Sequence, residues 1–294
     1  MNKCLVTKLN GVVNNNTILK LGEFRIKVID APSSKRTIWL KANKEINLSI
    51  IGDGYFLDNT DTNNIGKTLT LGPENMDEVH FSNGTYEISV TSKYDITEFE
   101  TKASNCIVDL SCFNYSKSIK RIVDKYFCIT GKVDLSNLTL LEELILEKSN
   151  TSFDLSDVES LNSAKTIMLN NVIGNVKSLY GLNSLNVLSL KNANVSGDIA
   201  KLPSSTYVLS VTGTTNLTWS NRETNGYILA IEGSPKITNI DQMLTNQSQC
   251  VKHVSSTDEE WLRVISATGN RTSASDAAVA TLQQKGYTVS VIPA

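Results

Sequence analysis

The sequence predicts a mostly β fold with some α. It reads as an N-terminal β-sandwich over residues 1–101, a parallel-sheet solenoid with 3₁₀ or short-helix returns over 102–244, and an α/β cap over 245–294. Three observations predict it. Apolar residues alternate with period two up to about residue 101. The segments Leu141/Leu144/Leu146, Ala164/Ile167/Leu169, Leu185/Leu188/Leu190 and Thr206/Leu209/Val211 then recur with steps of 23, 21 and 21 positions. After residue 245 the pattern turns helical. A period in the low twenties means one short strand and one return segment per coil, stacked so that neighbours bury each other.

The N-terminal strands come first. Phe24, Ile26 and Val28 alternate with Arg25 and Lys27; Ile46, Leu48 and Ile50 with Asn47 and Ser49; Tyr86, Ile88 and Val90 with Glu87 and Ser89. Alternation puts one set on a core face and the other in water. Asn14-Asn15-Asn16, Pro32-Ser33-Ser34, Gly52-Asp53-Gly54 and Asn83-Gly84 are the turns between strands. Short strands with no helix between them suggest a sandwich.

The solenoid follows. Leu135, Leu138, Leu141 and Leu144 recur every third residue, as do Leu155 to Ile167 and Val176 to Leu188. Three-residue recurrence is tighter than an α-helix and suits 3₁₀ turns on the return path. Gly131, Gly174 and Gly197 open units where a tight or left-handed backbone is needed. A weaker copy precedes at Ile119/Ile122 and another follows at Leu229/Ile231; Ile237, Ile240 and Met243 restore the step once more. In the cap, Ser256 and Glu259 form a capping box for a helix through about Ala267. Ser275-Asp276 opens a second helix that Gly286 ends, and Tyr287–Ile292 reads as a final strand.

Bulk properties exclude some functions. The net charge of −2 gives no electrostatic case for nucleic acid or an anionic membrane. Met1 to Val13 lacks a long apolar run, so no secretory signal is read, and no apolar run is long enough to insert in a membrane. Cys4, Cys106, Cys112, Cys128 and Cys250 are odd in number and lack CxxC spacing, which favours free, mostly buried thiols in a reducing compartment.

The leucine spacing resembles a leucine-rich repeat of the short bacterial style over about residues 105–245. That family places Asn three residues after the last strand leucine, where it bonds neighbouring backbone in a ladder. Here those positions hold Ser149, Val172, Ala193, Thr214 and Ser234, with Asn171, Asn192 and Asn194 out of register, so a differently closed corner is expected. A second resemblance lies in Cys4-Leu5-Val6-Thr7-Lys8-Leu9 and Lys20-Leu21-Gly22-Glu23-Phe24-Arg25-Ile26. These look like the opening of gut bacteriophage and prophage proteins that pair a β-domain with leucine-rich repeats. That likeness implies a virion component, structural or host-recognising, held in the cytoplasm of the producing cell before incorporation.

Catalytic and metal motifs are weak. Gly66-Lys67-Thr68 ends like a phosphate-binding loop, but Asp61 stands where a glycine is required. Asp58, Asn59, Asp61, Asn63 and Asn64 miss the glycine and glutamate of a calcium loop. His80 and His253 have no second ligand at zinc spacing. Asp258, Glu259 and Glu260 read as helix-dipole partners, and Lys117, Lys120, Arg121 and Lys125 as a solvated basic face. No catalytic, cofactor or metal residue is therefore assigned.

Strand residues beside the inward leucines form the sheet's outer face, the usual binding surface of such arrays. The expected ladder is Ile145, Met168, Ser189, Ser210 and Ala230, with Trp219 and Tyr227 as nearby aromatic candidates. The leading reading is a non-enzymatic interaction module that binds a protein or a cell-surface glycan and self-associates through its N-terminal domain. The alternatives are an enzyme with a site in the interdomain cleft and an intracellular protein–protein scaffold.

Overall fold

A computed structural model describes residues 98–100, 119–124, 134–149, 151–253 and 263–294 with their side chains, and some other strands by backbone alone. Successive LxL segments lie side by side as parallel strands. Leu144 pairs with Ile167, Ile167 with Leu188 and Leu188 with Leu209. The row extends to Ile122 on one side and to Ile231, Ile265 and Val289 on the other. From Ile122 to Ile265 these inward side chains are fully buried. No single coil could bury them alone, so stacking is what stabilises each one.

Four returns among the described residues are 3₁₀ turns, as the three-residue step predicts. The helices are Leu135–Asn137, Leu155–Val158, Val176–Leu179 and Ile199–Lys201. One capping device opens all four. The side chains of Asp134, Asp154, Asn175 and Asp198 accept a hydrogen bond from the backbone N–H two residues on, at 2.9–3.1 Å. Such a cap satisfies an otherwise orphaned donor. Gly174 and Gly197 have positive φ just before two of these caps, in keeping with their sequence-predicted role.

The other corner is closed without the family's ladder. Asn171, Asn192 and Gly213 each sit two residues after the last inward strand residue, with positive φ. Asparagine and glycine tolerate that backbone best. Asn192 therefore serves the corner by conformation, and its Nδ2 also donates to Asn170 Oδ1 at 2.7 Å.

The strand Ile96–Thr101, expected in the N-terminal sandwich, pairs parallel with Arg121–Val123 and puts Phe99 beside Ile122. It also pairs antiparallel with Arg36–Ala42. Strands appear at Arg25–Val28, Ile46–Ile51 and Tyr86–Val90, where alternation places them. The face-to-face packing expected of a sandwich over 1–101 lies outside the described residues.

The cap differs from expectation in two ways. Residues 264–268, expected at the end of a helix, form a strand that pairs parallel with Thr288–Ile292. Ile265 and Ala267 are fully buried there, so tertiary pairing decides the conformation of these residues; Ser256, Glu259 and Trp261 lie outside the described residues. A helix, α1, spans Ile240–Ser248 and starts before the expected boundary at 245. Its buried face is Ile240, Met243, Leu244 and Gln247, so the step at Ile237, Ile240 and Met243 turns into α-helix. The second helix, α2, spans Asp276–Gln284 and ends before Gly286 at positive φ. The cap thus continues the solenoid sheet with two more parallel strands.

Candidate interaction face

Strand alternation sends every second side chain to the outer face of the sheet. Ile145, Met168, Ser189 and Ser210 form one ladder there, in register. Ala230 does not join it. Val208 pairs with Ala230 and Ser210 with Glu232, so Glu232 holds the ladder position. Leu229 and Ile231 alternate, so the sequence permits two registers two residues apart. Gln247 selects one. Its Oε1 accepts from the Leu229 N–H at 2.8 Å and its Nε2 donates to the Leu229 carbonyl at 3.0 Å. The Leu229 backbone is thereby occupied, and the strand begins at Ala230.

The ladder is unevenly open. Ile145, Met168, Ser210 and Glu232 are half-buried. Ser189 is buried and donates its hydroxyl to Glu147. Val208 and Ala230, on one flank, are buried by the chain itself.

Charge on this face is organised across rungs. Arg121 Nη1 lies 2.7 Å from Glu100 Oε2 and its Nε 2.9 Å from Glu143 Oε2. Burial pushes the Arg121 guanidinium down, but its bonds and attraction to both carboxylates outweigh that and hold it above its ordinary value. Arg121 therefore leaves the solvated basic face expected of it, and Lys120 pairs loosely with Glu142 at 3.7 Å. Lys191 reaches Glu147 at 2.8 Å and Lys165 reaches Glu142 at 2.6 Å. Glu232 differs: burial alone pushes its carboxyl up.

The two aromatic candidates separate. Trp219 is buried, and its indole N–H donates to Asn246 Oδ1 at 3.2 Å, so it belongs to the core. Tyr227 is half-buried, tilted against Tyr207 at 5.6 Å, with Lys252 Nζ 5.7 Å from its ring centre.

The sequence reading missed Arg222. It is buried and donates to the carbonyls of Leu202, Pro203 and Thr206 at 2.7–3.0 Å. Burial pushes its guanidinium below the usual value. Its single signal in sequence is a lone arginine inside the irregular 212–227 stretch. Cys250 is a buried free thiol, pushed up by burial.

Among the described residues, no group of three or more His, Cys, Asp or Glu side chains could hold a metal ion. Among them too, no helix is long and apolar enough to cross a membrane. The interdomain cleft of the enzyme alternative lies outside them.

The parallel rungs, 3₁₀ returns and buried leucine rows make this a leucine-rich-repeat-like solenoid. No family model matches the chain, and no curated protein matches it. Among solved structures, it is similar to the leucine-rich-repeat ectodomain of the plant membrane receptor kinase GASSHO1/SCHENGEN3 from Arabidopsis thaliana, solved in complex with CASPARIAN STRIP INTEGRITY FACTOR 2. That match has 18% identity and a TM-score of 0.41, and covers 61% of this chain and 22% of the ectodomain chain. This chain therefore spans under a quarter of that ectodomain. It is also similar to an internalin (inlF) from Listeria monocytogenes, with 14% identity and a TM-score of 0.28, covering 69% of this chain and 77% of that one.

Proposed function

We propose that the chain is a non-catalytic interaction module whose sheet face binds a protein or a cell-surface glycan. One observation carries this reading. Ile145, Met168, Ser210 and Glu232 stay half-open on a ladder whose inward neighbours are sealed. A rigid row of side chains at fixed spacing is a recognition surface of the kind solenoids present. Substituting Met168→Arg and Ser210→Arg should leave the melting temperature within a few degrees and remove partner capture. Retained capture by the double variant would move the binding surface elsewhere.

The proposed setting is a phage or prophage particle, with residues 1–101 assembling and the solenoid exposed for attachment. The opening segments at residues 4–9 and 20–26 support it. The chain would stay in the cytoplasm of the producing cell until packaged. Mass spectrometry of purified particles induced from the host should detect the chain in stoichiometric amount, and its absence would remove this setting. Light scattering of the full chain should show an oligomer; a monomer at high concentration would count against self-assembly.

A further inference from the structure

The carboxylates toward the start of the sheet face are matched across rungs. Glu100 and Glu143 share Arg121, and Glu147 faces Lys191. Glu232 stands on the same face without such a partner among the described residues. Its ladder neighbours are Ser210 and, one rung on, Ser266, whose hydroxyl bonds to Ser234 at 2.6 Å. Arg222 is committed to backbone carbonyls, and Lys252 lies over Tyr227. Residues 254–262 contain no Lys or Arg. The protein therefore places a half-buried carboxylate at one end of its recognition ladder with no counter-charge among the described residues. Taking a charge partly out of water is unfavourable unless a partner compensates it.

We infer that this face binds a basic peptide segment of a protein partner, with Glu232 receiving an Arg or Lys side chain. The inference rests on the interaction-face reading and names the partner's chemistry. Charge complementarity selects the occupant: a cation both donates hydrogen bonds and balances the charge, whereas a neutral sugar hydroxyl only donates. The apolar ladder positions Ile145 and Met168 also suit peptide side chains. Trp219, which could have stacked on a sugar, is buried. From Ile145 to Glu232 the ladder takes four strand spacings, about 19 Å. That is roughly the span of six extended residues.

The test uses the full-length chain on an array of hexapeptides carrying Arg, Lys, Gln or Glu at each position, beside a neutral glycan array. Peptides with Arg or Lys should be retained, and added salt should weaken them. Glu232→Gln should lose about tenfold in affinity for them, as expected when one partner of a charge pair is neutralised, with no loss of melting temperature. Unchanged binding by Glu232→Gln, binding of neutral glycans alone, or no retained basic peptide would overturn the inference. The broader reading fails separately. If Met168→Arg and Ser210→Arg leave every observed binding intact, the face itself is wrong; if they abolish peptide binding and Glu232→Gln does not, only the role of Glu232 falls.

Discussion

The turns between Asp134 and Val211 and the rungs after it solve one problem in two ways. In the earlier turns a short motif repeats. An Asp or Asn caps a 3₁₀ helix, leucines fill the interior, and Asn or Gly closes the corner in a left-handed conformation. After Val211 the motif is lost, and individual side chains satisfy the backbone instead. Arg222 serves four carbonyls, Gln247 takes both polar groups of Leu229, and Lys285 Nζ donates to the carbonyls of Ser248 and Cys250 at 2.7 and 2.9 Å. A repeated turn satisfies its polar groups locally. An irregular one must recruit partners from far along the chain, because buried backbone groups are rarely left unpaired.

The largest expected effect separates the middle of the row from its end. Leu188→Ala removes a fully buried side chain between two rungs and should cost about 3 kcal/mol. Val289→Ala acts on the last, half-buried rung and should cost about 1 kcal/mol or less, since the site is open to solvent. Equal losses in chemical denaturation would mean that the terminal rung is as tightly packed as the centre.

Arg222→Met tests the long-range solution. It keeps apolar volume but removes a donor from four carbonyls, at a cost of about 3 kcal/mol. The lysine variant should recover only part of that, because an ammonium cannot span the fork of acceptors. A methionine variant of wild-type stability would show that water serves these carbonyls equally well.

Gly213→Ala tests the local one. Its added Cβ would lie 2.3 Å from the Ala193 carbonyl oxygen, at φ +118°. Backbone must move, so about 2 kcal/mol should be lost. Gly181→Ala has open space at that point and should change stability by less than about 1 kcal/mol. Similar melting temperatures for the two variants would remove the argument for a sterically required corner.

The smallest effect is in pH. Hydrogen bonds from Ser275 and Thr272 hold the Asp241 carboxyl below its usual range. Its stabilising contribution is therefore present above the ordinary carboxylate pKa and is lost as pH falls through the depressed one. Burial raises Glu232, so its ionised form at neutral pH is unfavourable, and that penalty disappears in acid. Asp241→Asn should lower the melting temperature at pH 7 and flatten its fall toward pH 3. Glu232→Gln should raise it slightly at pH 7 and not at pH 3. The reverse sign for either variant in thermal melts would show that its carboxylate has been assigned the wrong environment.

Much of the fold was legible because it is periodic. Leu144, Ile167, Leu188 and Leu209 are adjacent rungs as their spacing requires. The candidate face was legible up to Ser210, since alternation on a paired strand leaves no choice of side. It failed at Ala230, where the motif that carried the register had ended. The strand at 264–268 was hidden for a related reason: a capping box is a local signal, whereas a place between two buried strands is not.

By itself the sequence determined the solenoid, the rows that fill it and the side of each strand that faces outward. All three follow from short-range repetition and the insolubility of leucine. Only the tertiary structure decided the register of Glu232, the burial of Trp219, and the pairing of Arg222 and Gln247 with distant backbone. Those outcomes depend on pairing between groups some 16 to 27 positions apart, and such pairing leaves no periodic trace.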